Sequence, residues 1–173
     1  MKNNSRLTFL LLLFLGFYST GCEKIFGTIN DFLYSTSFEK HEKMDQWENG
    51  EYAEFKSEAP KGGGQRSLFV SGGCVVPHMV LDLGKIETQD YITVKFSGKV
   101  LFNGGTVSLT AVRGKFEWID LGQVYLKETN WKDYKLVSTV PTPIGYNLKI
   151  QMSSGGFAAG GMLIDLLEVS ELN

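Results

Sequence analysis

The stretch "YITVKFSGKV" (91–100) decides the fold. Ile92, Val94, Phe96 and Val100 fall on one side of an extended chain, and Tyr91, Thr93, Lys95, Ser97 and Lys99 on the other. A period of two is that of a β-strand with one buried face, because successive side chains of a strand point to opposite faces of its sheet. The alternation recurs in "TVSLTAV" (106–112), which turns Val107, Leu109 and Ala111 inward, and in "NLKIQM" (147–152), which turns Leu148, Ile150 and Met152 inward. Shorter stretches such as "SLFVSG", "FEWIDL", "QVYLKE" and "DYKLVSTV" also read as strands. Glycine turns separate them: "KGGGQ" (61–65), "FNGG" (102–105), "RGK" (113–115) and "SSGGFAAGG" (153–161). No long amphipathic helix and no fixed-period repeat is visible. About ten short strands joined this way predict an all-β protein, an antiparallel sandwich or barrel.

The first residues have a different character. Lys2 and Arg6 precede the apolar run "LTFLLLLFLGFY" (7–18), whose 12 residues fall short of the roughly 20 that a spanning helix needs. A basic start, a short apolar core and then small residues make a secretory signal. Ser19, Thr20 and Gly21 are those small residues, and Cys22 follows them directly. The stretch resembles the lipobox of bacterial lipoproteins, departing from it at Ser19, where that motif has an aliphatic residue. The resemblance implies cleavage after residue 21 and acylation of Cys22, and so a protein held to a membrane of the bacterial envelope, facing the periplasm or the exterior. Several acyl chains on one residue anchor stably, since each buried methylene adds about 0.8 kcal/mol. Three parts are then expected: a signal peptide (1–21), a tether (22–33) and a β-sandwich domain (34–173).

Composition narrows the partners. The formal net charge is −2 and becomes −4 when Lys2 and Arg6 leave with the signal peptide. A mildly acidic chain without a basic stripe is not built for nucleic acid. With Cys22 committed to lipid, Cys74 has no partner and reads as a small buried apolar residue.

Four further pieces occur in order: "SFE" (37–39) ahead of Trp47, "GGQRSLFVSG" (63–72), "TNWKDYKLVSTVP" (129–141) and "GGMLIDLLEVSEL" (160–172). Together they resemble the jelly-roll carbohydrate-binding modules of the galactose-binding-like superfamily, from about residue 35 to the end. The closing motif departs from the pattern, with Leu166 where that family has a second acidic residue. The resemblance implies a jelly-roll sandwich, a glycan or polysaccharide ligand, and a structural Ca2+ held by Glu39 and Asp165 where the first strand meets the last.

Sugar binding needs aromatic faces with polar groups at their edges. Trp131 and Trp47 read as core residues. Trp118 lies beside a tight turn among Arg113, Lys115, Glu117 and Asp120, and the alternation leaves its face open. Tyr91 and Lys95 stand on the polar side of their strand, and Tyr125 lies on the next candidate strand. Trp118, Tyr125, Tyr91, Lys95 and Arg113 are therefore the expected ligand-binding residues. Catalysis has little to draw on. His41 sits in a charged run and His78 follows Pro77, without the cysteine partners of a zinc site. Glu117 and Asp120 are an odd number of residues apart, so on a strand they face opposite sides and cannot flank one glycosidic bond. A non-catalytic binding module is expected, the alternative being an envelope lipoprotein of the same fold that binds a protein and no sugar.

Overall fold

A computed structural model describes residues 32–73, 78–155 and 160–172. The signal peptide, Cys22, the tether up to residue 31 and Cys74 lie outside the described residues. The described chain forms strands β1 (Phe32–Thr36), β2 (Trp47–Glu48), β3 (Glu54–Lys56), β4 (Ser67–Gly72), β5 (Met79–Lys85), β6 (Ile92–Phe102), β7 (Gly105–Arg113), β8 (Glu117–Leu126), β9 (Lys132–Val137), β10 (Asn147–Ser154) and β11 (Gly160–Glu171). A single 3-10 turn at Gly50–Tyr52 interrupts them. β1 begins at Phe32, slightly ahead of the expected boundary at residue 34.

The strands make two antiparallel sheets. The first has the order β3-β4-β11-β6-β9, with β1 also paired to β11, and the second has the order β2-β5-β10-β7-β8. The strand β11 organises the first sheet. One edge pairs with β6, and the other is divided between β4, at Gly160–Ile164, and β1, at Leu167–Ser170. Asp165 and Leu166 lie in the gap between these two partners, where the register with β6 also shifts.

The period-two residues meet between the sheets. Val94, Phe96, Leu68, Ile164 and Val169 from the first sheet and Leu81, Val107, Leu109, Ile150 and Met152 from the second are all buried in one core cluster. Such burial, at roughly 25 cal/mol per Å2 of apolar surface, is the main term holding the sheets together. Trp47 closes one side of the core, its indole N–H donating to the Tyr34 hydroxyl at 2.9 Å and its ring 5.8 Å from that of Phe38.

Some expectations change. Thr93 and Ser97, assigned to the solvent side, are buried. β6 is an interior strand with neighbours on both edges, where short side chains lie below the reach of water, and Ser97 donates to Asp133 of β9. Trp131 is only half-buried. It lies outside the core cluster, with the Lys99 ammonium 5.9 Å from its ring centroid. Finally, "FEWIDL" and "QVYLKE" are not separate strands. They are the two halves of β8, continuous through Gly122.

Facing tells neighbouring residues apart. Ile150→Ala should cost about 2–5 kcal/mol of stability, whereas Gln151→Ala, on the outer face, should change it by no more than about 0.5 kcal/mol. Urea unfolding of the two variants checks this; equal losses would contradict the assigned faces.

Candidate functional site

Two places on the molecule gather polar side chains with unusual geometry. The first is the gap on the edge of β11. Asp165 is fully buried there. Its Oδ1 accepts the Leu166 N–H at 2.7 Å, while its Oδ2 has no hydrogen-bond partner. Glu39 approaches from the segment after β1, and its Oε1 accepts the backbone N–H groups of Gln65 at 2.8 Å and Arg66 at 3.2 Å. The glycine run 62–64 passes over both carboxylates. A Cβ at Gly63 would collide with Asp165 Oδ2, and one at Gly64 would meet Glu39 Oε1 at 2.5 Å. Only glycine permits this approach, and Gly64 also needs its φ of +84°.

Both carboxylates adjoin strained backbone. Phe38, before Glu39, has φ 56°, and Leu166, after Asp165, has φ 50°. Bulky residues avoid the left-handed region, and such strain collects where a site over-determines the chain. A third acid, Glu42, ties the loop internally. Its carboxylate accepts the Thr36 hydroxyl at 2.6 Å, the Ser37 N–H at 3.0 Å and the Glu39 N–H at 3.0 Å. The run "EKHEKMD" therefore contains a structural residue that its charge pattern concealed.

The charge states diverge. Burial, and then the negative charges of Glu39 and Glu42, push Asp165 up to about 7. The N–H groups of Gln65 and Arg66 hold Glu39 below the usual carboxylate range. At Glu42 burial opposes ionisation, but the hydrogen bonds from Thr36, Ser37 and Glu39 outweigh it. An orphaned buried oxygen beside a second carboxylate is a donor set that a hard cation such as Ca2+ suits. Among the described residues no three His, Cys, Asp or Glu side chains converge, so backbone carbonyls would complete the shell.

The second place is the outer face of the second sheet. Register puts its outward side chains in rows. Trp118 stands beside Val112 and Asn147, Asp120 beside Thr110 and Lys149, Gln123 beside Ser108 and Gln151, and Tyr125 beside Thr106 and Ser153. Trp118 is 69% exposed and Tyr125 57%. Residues seven apart on a regular strand face opposite ways. These two share a face because a β-bulge opposite Leu109 and Thr110 inserts an extra residue into β8. Leu121 turns into the core there, and the Gly122 N–H donates to Asp120 Oδ1 at 2.9 Å. Further in, Lys149 pairs with Glu48 and, at 3.2 Å, with Asp82.

The remaining expected ligand residues do not join this face. Lys95 belongs to β6, in the first sheet, so the core separates it from Trp118 and Tyr125, and Tyr91 stands ahead of β6 at the end of the sandwich. They cannot form one platform, because two strands with the same alternation need not share a sheet. Lys95 instead lines a shallow recess with Asp133, Lys135 and Glu168. Arg113 lies near Trp118 but is engaged, its NH2 2.5 Å from Glu117 Oε2 and its guanidinium 4.7 Å from the centroid of Tyr146. Glu117 takes this ion pair and a hydrogen bond from Tyr146, so it does not converge with Asp120. Sequence reading named Asp120 only as a neighbour of Trp118 and missed Thr110, Gln123 and Lys149; Gln123 is two residues from Tyr125 on β8, and register alone brings Thr110 and Lys149 to the aromatic pair.

No protein-family model and no curated protein sequence matches the chain. Solved structures do. The chain is similar to the CBM22-1 xylan-binding domain from Paenibacillus barcinonensis Xyn10C, with a TM-score of 0.61 at 15% identity over 85% of this chain and 98% of that one. The CBM22-2 xylan-binding domain of the same protein gives 0.59 at 14% identity over 81% and 99%. A Family 16 Carbohydrate Binding Module-2 gives 0.56 at 17% identity over 74% and 92%. The fold is thus the jelly-roll sandwich of carbohydrate-binding modules.

The Asp165 carboxyl fixes a pH dependence in chelator. Its folded value near 7 lies above the unfolded value of about 3.9, so its stabilising effect is complete below the unfolded value and is lost as pH rises through the folded one. In EDTA the Tm should fall from about pH 4 to about pH 7 and level off above that, and Asp165→Asn should flatten that slope. Thermal unfolding across pH measures both; an unchanged slope in the variant would remove Asp165 as the cause.

Proposed function

We propose that this protein is a non-catalytic, lipid-anchored module of the bacterial envelope that binds a glycan chain along β8. One observation carries the reading: Trp118 and Tyr125 are both exposed on one face of one strand, with hydrogen-bonding side chains between them. An exposed ring offers the apolar face of a pyranose a partner, and Asp120, Gln123 and Thr110 offer its hydroxyls donors and acceptors. At about 3.3 Å per strand residue the two rings stand roughly 20 Å apart. That span asks for a polysaccharide or long oligosaccharide, since one sugar cannot cover both rings. The likeness to two xylan-binding domains makes xylan the first ligand to try.

In this reading Glu39 and Asp165 hold a structural Ca2+, with the glycine run 62–64 as its lid. Bound there, the ion would supply the positive charge that these carboxylates lack. It would tie the segment after β1 to β11 without touching the glycan. Acylated Cys22 gives the membrane attachment.

Electrophoretic retardation in gels containing xylan or soluble β-glucans tests the binding. The full chain should be retarded by at least one neutral polysaccharide. Trp118→Ala and Tyr125→Ala should each weaken this about tenfold or more, which is about 1.4 kcal/mol, and Lys95→Ala should leave it unchanged. Retardation that survives Trp118→Ala would move the site elsewhere. No retardation in any polysaccharide, with an envelope protein co-purifying, would favour a protein-binding lipoprotein. For the ion, millimolar CaCl2 added at pH 8 should raise the Tm of the natural chain and leave that of Asp165→Asn unmoved.

A further inference from the structure

The end of the sandwich at which β1 begins is apolar in an unusual way. It comprises the β7–β8 turn (114–116), the segment 138–146, the β5–β6 connection (86–91), the start of β1 and the end of β11. Register puts them together. Val112 pairs with Asn147 and Asn147 with Lys85, Phe32 pairs with Ser170, and the Leu172 N–H donates to the Tyr91 carbonyl. Ten large hydrophobic side chains are exposed among the described residues, and seven of them lie at this end. Six are Leu33, Tyr91, Phe116, Val140, Ile144 and Leu172, and Trp118 stands where this end meets the sheet face. Phe116, at the hairpin tip, is 91% exposed and Ile144 is 60% exposed.

We propose that this end rests on a lipid bilayer, with the tips carrying Phe116 and Ile144 entering the interfacial layer. The inference rests on the lipid-anchor reading of Cys22. Cys22 stands ten residues before Phe32, and ten extended residues reach at most about 35 Å. An anchor on so short a lead brings this end, and not the opposite one, to the membrane surface. The arrangement suits a bilayer better than a protein partner. Phe116 and Ile144, the two most exposed of the six, stand on two separate turns. They do not form the continuous flat patch that a protein would cover, and a fluid interface needs no complementary shape.

Charge supports apolar entry over electrostatic attraction. Arg113 is neutralised by Glu117. Lys85 and Lys115 are then outnumbered by Glu87, Asp90 and Glu171, so this end has no basic excess to draw it to anionic lipid.

The test uses the full chain with Cys74→Ser. Single cysteines enter by Phe116→Cys, by Ile144→Cys and, at the opposite end, by Phe102→Cys, and each carries a polarity-sensitive dye. The chains are reconstituted in phosphatidylcholine vesicles containing a lipid-borne quencher. Dyes at 116 and 144 should be quenched several-fold more than the dye at 102, with or without added phosphatidylglycerol. Equal quenching at the three positions, or quenching that needs anionic lipid, overturns the proposal. Mass spectrometry of the mature N-terminus reports separately on Cys22. If it carries no acyl chain, Cys22→Ser is added, the chain is mixed with preformed vesicles, and the same comparison decides. Phe116→Ser with Ile144→Ser, at sites too exposed to unfold the domain, should remove most of the quenching of the tryptophan fluorescence by the same lipid and leave retardation by the polysaccharide unchanged.

Discussion

A buried carboxyl group with one unpartnered oxygen holds the place at which the first and last strands of this fold meet. β11 runs through the middle of the first sheet and shares one edge between β4 and β1. A strand that changes partners along one edge leaves a gap in its ladder, and the gap falls at Asp165 and Leu166. The chain fills it with three things: a left-handed Leu166 that bends the strand, the glycine run 62–64 laid over the opening, and the Glu39 carboxylate drawn in by the amides of Gln65 and Arg66. Each is costly alone. An ionised carboxylate in a dry gap is among the least favourable groups a core can carry. The arrangement persists only if the charge is removed by a proton or answered by a cation, so protonation and cation binding compete for the same oxygen.

The outer face of the second sheet depends on a similar local exception. Strand parity would send Trp118 and Tyr125 to opposite sides and bury one of them. The bulge at Leu121 and Gly122 resets the parity once, midway, and so leaves both rings in water on one edge of the sheet. β8 is an edge strand, where a bulge disturbs only one ladder and also discourages pairing with another chain. The ion pairs of Lys149 with Glu48 and Asp82 then stiffen the polar ground beside the rings, on three neighbouring strands.

How much of this was legible depended on the range of the interaction. Alternation is a local property, and it assigned Val94, Leu109 and Ile150 to the core correctly from sequence. The pairing of Glu39 with Asp165 is long-range, and only the resemblance to a known family suggested it; the structure adds the glycine run that makes it possible. Which sheet a strand joins is not written in its own residues, and for that reason sequence reading groups Lys95 with rings that lie across the core. Gly122 read as a break, because a glycine inside a strand and a glycine in a turn look alike until the partner strand is known. Glu42 was hidden by its neighbours. A carboxylate that organises a loop and one that merely faces water have the same letter.

The face and the end of the sandwich are distinct surfaces, and β8 joins them. It begins beside the apolar tips at Phe116 and runs away from them to Tyr125. If the tips lie on a bilayer, Trp118 sits just above the headgroups and Tyr125 roughly 20 Å further along the strand. A glycan lying along β8 would then stand away from the membrane instead of along it, with its far portion free to continue into the envelope. Such a geometry favours a free polysaccharide over a short headgroup sugar, because a sugar fixed at the bilayer surface could meet Trp118 but never Tyr125. The separation of the two rings and the apolar end therefore constrain one another. A ligand that needs both rings must come from the side away from the lipid.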